Sequence, residues 1–420
     1  MDRFVIEGGH PLRGAIRVSG AKNAVLPVLT ASLLVEGPVE VHNVPDLKDV
    51  HTTCELLRTL GAKAEFRSGS VTVDATTITS TTAPYELVKT MRASIYVLGP
   101  LLARFGTARV SMPGGCAWGP RPVDLHLKAM EALGAAVTVE HGYIEASAAR
   151  LKGCGFFFEF PSVGATGNLM MAAALADGKT VIENAAREPD IECLGDFLAA
   201  CGVPIRGQGT SRIEIEGVKR LKPASFAVIP DRIEAATFLA AGAVTGSTLR
   251  IEGARPEHMR AAISKMEETG ANVMCEGSEI VISSPHRLSA VRVTTAPYPG
   301  FPTDMQAQMI AVLSLASGQS VVTDTIYHDR WGHVPELQRL GADVRVEGNV
   351  AVVNGSRRLT GAQVMATDLR ASAALVLAGL AADGETTVSR VYHLDRGYEQ
   401  LEKKLSAVGA VIRREQGPGE

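Results

Sequence analysis

A triplet of the Leu-Gly-Ala type occurs six times in this chain and limits what it can fold into more than any other feature. The copies are Leu60-Gly61-Ala62, Leu133-Gly134-Ala135, Cys201-Gly202-Val203, Thr269-Gly270-Ala271, Leu340-Gly341-Ala342 and Val408-Gly409-Ala410, with glycines 73, 68, 68, 71 and 68 residues apart. A fixed period of this length marks a repeated supersecondary unit. Each glycine closes an amphipathic helix, such as Asp49 to Leu60 or His333 to Leu340, where the C-terminal cap favours a residue tolerant of φ > 0. Alternating strands follow, Val344-Arg345-Val346-Glu347 among them, folded back at Ser68-Gly69, Glu276-Gly277 and Glu347-Gly348-Asn349. A second glycine turn recurs in step, at Gly37, Gly106, Gly178, Gly246, Gly318 and Gly384. That register absorbs Gly178-Lys179-Thr180, which looks like the tail of a P-loop but has Ala173 where the first glycine is required.

The first helices of the units (Ala24 to Leu34, Asn168 to Leu175, Ala235 to Ala243, Met305 to Ala316, Ala371 to Ala381) are apolar nearly all round, so they belong in the interior with sheets packed outside them. A chain of 420 residues exceeds one ordinary core. The expectation is therefore an α/β protein of six repeated units, three per domain. The N-terminal strand Phe4-Val5-Ile6 lies outside the units, which pairs the start of the chain with its end. The domains become residues 22–229, and residues 1–21 together with 230–420, with the break near Pro230.

Charge is nearly balanced, 42 basic against 45 acidic residues, which gives no support to nucleic-acid or membrane-surface binding as the main role. The six cysteines form no CxxC pair and no metal spacing with histidine, so they read as reduced thiols; neither a metal nor a cofactor is expected. The N-terminus MDRFVIEGGH lacks a signal pattern, and apolar runs such as Ala373 to Ala382 fall short of the roughly 20 residues of a membrane span, so a soluble cytoplasmic protein is expected.

Function is most legible where the chain breaks its own pattern. In Pro113-Gly114-Gly115-Cys116-Ala117-Trp118-Gly119-Pro120-Arg121-Pro122, glycine and proline specify the backbone around a thiol, with a guanidinium five residues on. A core cysteine sits in an apolar periodic run; this one sits in a loop beside a cation that favours the thiolate. Lys22-Asn23 opens the first apolar helix, where an anion is favoured and a lysine is not, so it reads either as a solvated loop lysine or as a seat for phosphate or carboxylate. Arg92 and Arg370 occupy matching slots ahead of two other helices, and Arg396 sits in a turn of the last unit. Asp304 precedes a further helix as either its N-cap or a base. One thiol, one carboxylate and several cations at helix mouths suit a ligand with several negative charges.

The loop with its continuation Val123-Asp124-Leu125-His126, together with Ser162-Val163-Gly164-Ala165-Thr166, Glu183-Asn184-Ala185-Ala186-Arg187-Glu188-Pro189, Pro302-Thr303-Asp304-Met305-Gln306 and Ala366-Thr367-Asp368-Leu369-Arg370-Ala371-Ser372, resembles the UDP-N-acetylglucosamine 1-carboxyvinyltransferases along the full chain. The resemblance implies the two-domain inverted α/β barrel fold shared with 5-enolpyruvylshikimate-3-phosphate synthase. It implies transfer of the enolpyruvyl group of phosphoenolpyruvate to the 3-hydroxyl of UDP-N-acetylglucosamine, a step of peptidoglycan synthesis with these two small molecules as partners. It sets no oligomeric state. Carried over, it makes Cys116 the proton donor to phosphoenolpyruvate, able to form an adduct and open to alkylation by fosfomycin. It makes Asp304 the acceptor of the sugar hydroxyl proton, and Lys22, Arg121 and Arg396 the cations around phosphoenolpyruvate, with Asn23 beside them. Arg92, Arg121, Pro122, Val123, Asp124, Leu125, Ser162, Val163, Ile326 and Arg370 fall to substrate binding. Exclusion of water from the reactive centre leads to the further expectation that the domains close over the sugar nucleotide and carry the Cys116 loop inward. Where some members place a lysine before the Ser-Val-Gly turn, this chain has Phe160-Pro161. The alternatives are the shikimate-pathway synthase, and a sugar-nucleotide-binding regulator without catalysis, which would have lost its reactive groups first.

Overall fold

In the computed structural model, which describes residues 2–89, 91–112, 123–285 and 287–416, all six triplet glycines take positive φ: 105° at Gly61, 92° at Gly134, 93° at Gly202, 93° at Gly270, 92° at Gly341 and 103° at Gly409. The six upstream turn glycines do the same, from 60° at Gly246 to 138° at Gly37. The recurrence in the sequence is thus a recurrence in backbone conformation. Among the described residues six four-stranded sheets carry it, all built alike: an edge strand runs parallel to the unit's first strand, followed by two antiparallel neighbours.

The chain divides into two compact units, Met1–Ser19 with Pro230–Glu420, and Gly20–Ile229. Each holds three sheets and its own hydrophobic core. The seams show how each unit closes. The first strand of the Gly20–Ile229 unit, Pro38–His42, has no segment before it in that unit to serve as a parallel edge, and Ser225–Ala227 from the unit's other end fills the place. In the other unit Arg13–Arg17 does this for Thr248–Glu252. Among the described residues Val411–Gln416 is the last strand, and Asp2–Glu7 pairs with it antiparallel from Asp2↔Gln416 to Glu7↔Val411.

Inside the sheets lie the helices whose sequences are apolar all round. In the Gly20–Ile229 unit these are α1 (Lys22–Ala31), then α2 (Leu98–Phe105), which is buried from Leu98 to Leu102 but half-buried over Ala103, Arg104 and Phe105, and α3 (Val163–Ala173). In the other they are α4 (Arg232–Val244), α5 (Gln306–Leu313) and α6 (Leu369–Ala381), which pack on one another. Burial of each Leu, Ile or Met stabilises by about 1.5–3 kcal/mol, so a helix with no solvent face has no other stable location. α3 begins five residues before the expected Asn168, because Gly164 and Gly167 dilute the apolar pattern of its first turns. Among the described residues no helix is long and apolar enough to cross a membrane.

Several of the buried polar and charged residues in this interior stand at helix starts. Asp368 caps α6, its Oδ1 accepting the N–H groups of Arg370 at 2.7 Å and Ala371 at 3.1 Å. Asp368→Ala is expected to cost about 1–2 kcal/mol in chemical denaturation, the upper range for a lost cap, because this helix start is buried.

Candidate active site

α1 begins with Lys22, and no side chain caps its start. The lysine is not solvated: it is 9% exposed, with Nζ 2.7 Å from Asp49 Oδ2. Asp49 comes from the first turn of the following helix, Lys48–Thr59, which packs against α1. An ammonium buried at the positive end of a helix needs a counter-charge, and Asp49 supplies it while fixing Nζ beside the helix start. Asn23 follows, half-buried. The ion pair leaves an oriented cation at this helix start.

Arg92, half-buried, opens the 3₁₀ turn Arg92–Val97, which packs against both α1 and α3. Val123, Asp124 and Leu125 lead into the helix Asp124–Ala132, itself packed on α3. The Val123 carbonyl accepts the His126 N–H at 2.9 Å. Asp124 points outward, 3.9 Å from Lys128, while Leu125 packs on the core. Ser162 caps α3, its Oγ accepting the Ala165 N–H at 3.3 Å, and Val163 is the helix's first residue. Phe160 is 47% exposed and puts no cation next to this helix start. The structure therefore brings Lys22, Asn23, Arg92, the 123–125 segment and the Ser162 turn onto mutually packed elements of one unit. Cys116, Arg121 and Pro122 lie outside the described residues.

In the other unit Asp304 is not a helix cap. It gives no capping bond to α5, whose N-cap position is Met305. Its Oδ1 accepts Arg330 Nη1 at 2.9 Å and its Oδ2 accepts Arg370 Nη2 at 2.9 Å. Both arginines are nearly sealed, at 5% and 2% exposed. Burial pushes the Asp304 pKa up, but the guanidiniums of Arg370 and Arg330 outweigh it and hold the carboxyl well below the usual carboxylate range. Arg370, near the start of α6, also lies 5.4 Å from the Tyr398 ring. Gln308 ties this assembly together, donating from Nε2 to the Asp304 carbonyl at 2.9 Å and to Tyr398 Oη at 3.2 Å. Arg396 ends the turn Val391–Arg396, which packs on α6. The Ile326 N–H donates to Asp324 Oδ1 at 2.9 Å.

Sequence reasoning passed over Asp49 and Arg330. An acid in the first turn of an amphipathic helix is commonplace, and His328-Asp329-Arg330-Trp331 precedes no apolar helix directly. Their signal was indirect: a buried Lys22 and a buried Arg370 with Asp304 each imply a further charge in the neighbourhood.

Residues 6–405 match the family described as EPSP synthase (3-phosphoshikimate 1-carboxyvinyltransferase). The UDP-N-acetylglucosamine 1-carboxyvinyltransferase of Desulfosudis oleivorans is 54% identical over 414 residues, spanning 99% of this chain and 99% of that one. The protein of the same name from Myxococcus xanthus is 54% identical over 418 residues, spanning 99% and 100%. Among solved structures, the enolpyruvyl transferase NikO from Streptomyces tendae superposes with a TM-score of 0.90 at 28% identity, with 99% of each chain covered. EPSP synthase from Acinetobacter baumannii gives a TM-score of 0.76 at 19% identity, over 99% of this chain and 100% of that one, a likeness of fold alone.

Proposed function

The chain belongs to the UDP-N-acetylglucosamine 1-carboxyvinyltransferase family, and from that premise we infer how its residues carry out the family's reaction. It transfers the enolpyruvyl group of phosphoenolpyruvate to the 3-hydroxyl of UDP-N-acetylglucosamine and releases phosphate, the first committed step of peptidoglycan synthesis. What carries the reading is the 54% identity to proteins of that name over 99% of the chain. The shikimate-pathway synthase is disfavoured by the 19% identity to its structure. A regulator without catalysis is disfavoured by the presence of both Cys116 and Asp304. With its cysteines read as reduced thiols, the enzyme works in the cytoplasm.

We assign the steps as follows. Cys116 gives a proton to the C3 methylene of phosphoenolpyruvate, and C2 gains oxocarbenium character. The sugar 3-hydroxyl bonds to C2 while its proton passes to Asp304. Loss of a C3 proton and departure of phosphate then restore the enol ether. Lys22, Arg121 and Arg396, with Asn23, hold the anionic groups of phosphoenolpyruvate; Arg92, Val123, Asp124, Leu125, Ser162, Val163 and the Ile326 carbonyl hold the sugar nucleotide.

Asp304 is an unusual base, because a carboxylate gripped by two guanidiniums has little proton affinity. It accepts a proton when transfer is concerted with C–O bond formation, or when an anionic substrate draws a guanidinium away. Arg330→Gln is therefore expected to raise the Asp304 pKa toward its ordinary value of about 3.9. The ionised carboxylate is the active form, so the acidic limb of the kcat/KM profile moves up in pH. Stability follows the same sign. The depressed native pKa stabilises the fold above the unfolded-state value, and that contribution is lost as pH falls through the native one, which in the variant happens at higher pH. A pH–rate profile with an unmoved acidic limb would contradict the assignment. Mass spectrometry of the product tests the reaction itself: the sugar nucleotide should gain one enolpyruvyl group only when phosphoenolpyruvate is present.

A further inference from the structure

Ser19 is the last residue of its unit before the chain crosses into the other, and its polar groups are all tied to the unit it leaves. Its N–H donates to Glu234 Oε2 at 2.6 Å, and its carbonyl accepts the Asp231 N–H at 2.9 Å. Lys404 Nζ donates to the Ser19 hydroxyl at 2.6 Å; an ammonium has no lone pair, so the hydroxyl proton goes to Glu399 Oε2, 2.5 Å away. Lys404 also donates to Glu234 Oε1 at 2.6 Å. Glu234, in the first turn of α4, is 2% exposed, and Lys404 comes from the helix Leu401–Ala407. A buried carboxylate is held only by such partners, yet none of these groups serves the steps assigned above.

One residue on, the other unit takes hold of the chain. A Cβ on Gly20 would stand 1.7 Å from the Asn43 carbonyl oxygen, and the Ala21 N–H donates to the Ile229 carbonyl at 2.8 Å. Peptide groups are planar, so between the bound carbonyl of Ser19 and the bound N–H of Ala21 only the two torsions of Gly20 are free. On the return crossing the bound groups are the Ile229 carbonyl and the Asp231 N–H, and Pro230 between them has its φ set by the ring. The crossover keeps the torsions of Gly20 and one of Pro230.

We propose that Glu234, Lys404 and Glu399 are positioning residues that anchor Ser19 and so confine movement between the two units to the backbone of Gly20 and Pro230. The anchoring is independent of the family reading; its effect on turnover rests on that reading, in which Lys22 and Asp304 belong to different units. In Lys404→Met, hydrogen exchange at the Ser19 amide, followed by NMR on the full-length enzyme, should be about tenfold or more faster than in the parent. Lys404→Arg, which keeps a cation able to donate to both oxygens, should recover most of the protection, whereas a role in filling space would be served by methionine. Distances between spin labels at Glu65→Cys and Arg345→Cys, exposed strand residues of the two units, should spread more widely in Lys404→Met, measured in a Cys116→Ser/Cys275→Ser background. Without the labels, Lys404→Met should lower kcat about tenfold.

Protection of Ser19 unchanged in Lys404→Met overturns the proposal, as does Lys404→Arg as unprotected as Lys404→Met, or a label distribution or kcat equal to that of the parent. The parent measurement needs no variant to fold: a Ser19 amide exchanging as fast as an unstructured one overturns the anchoring by itself. A parent protein that fails to turn over UDP-N-acetylglucosamine would instead overturn the family reading and leave the exchange result standing, so the two failures are distinguishable.

Discussion

Asp304→Asn is expected to lower kcat by about 10³-fold, within the range that a positioned acid–base group contributes. Asparagine keeps an acceptor for one guanidinium but cannot take up the sugar hydroxyl proton, so binding of the sugar nucleotide should suffer far less than turnover. Stability should fall as well. Arg330 and Arg370 are both buried against this carboxylate at 2.9 Å. Asp304→Ala, which leaves them without it, should cost about 3 kcal/mol, the lower end for breaking a buried ion pair because the Asp304 side chain retains 27% exposure. Single-turnover kinetics and chemical denaturation on the same preparations separate the effects. A variant that loses stability but keeps its kcat would remove Asp304 from the chemistry.

The second large effect concerns Lys22. Asp49→Ala leaves its ammonium buried without the carboxylate now 2.7 Å away, and should destabilise the protein by about 3 kcal/mol. The double variant Lys22→Met/Asp49→Leu replaces the pair with apolar groups of similar size and should recover most of that stability, since buried pairs exchanged together are often neutral. Activity should not recover. A cation beside an anionic substrate is worth about 10²-fold or more in turnover, and methionine supplies none. A double variant that regained activity with stability would reduce Lys22 to a structural role.

The architecture was legible because its signals are local. The triplet glycines at positive φ, the hairpin turns and the apolar helices each follow from a few consecutive residues, and repetition multiplied them into six sheets. Closure of each unit was legible in part. The strand at Phe4 to Ile6 called for a partner at the chain's end, whereas Ser225–Ala227 as a parallel edge strand had no such signature. In the site, candidates marked by a break in a local pattern could be read directly: a lysine opening an apolar helix, an arginine in a matching slot, an acid before Met305. Their partners could not. The Asp304 pairs with Arg330 and Arg370 span 26 and 66 residues, and only tertiary packing brings those side chains together.

The central claim, enolpyruvyl transfer to a UDP-sugar, is tested most directly by measuring phosphate release from phosphoenolpyruvate with each acceptor in turn. The account predicts release matching the UDP-N-acetylglucosamine consumed, and none above background with shikimate 3-phosphate or without an acceptor. Release that depends on shikimate 3-phosphate, or a protein that binds the sugar nucleotide and liberates no phosphate, would contradict it.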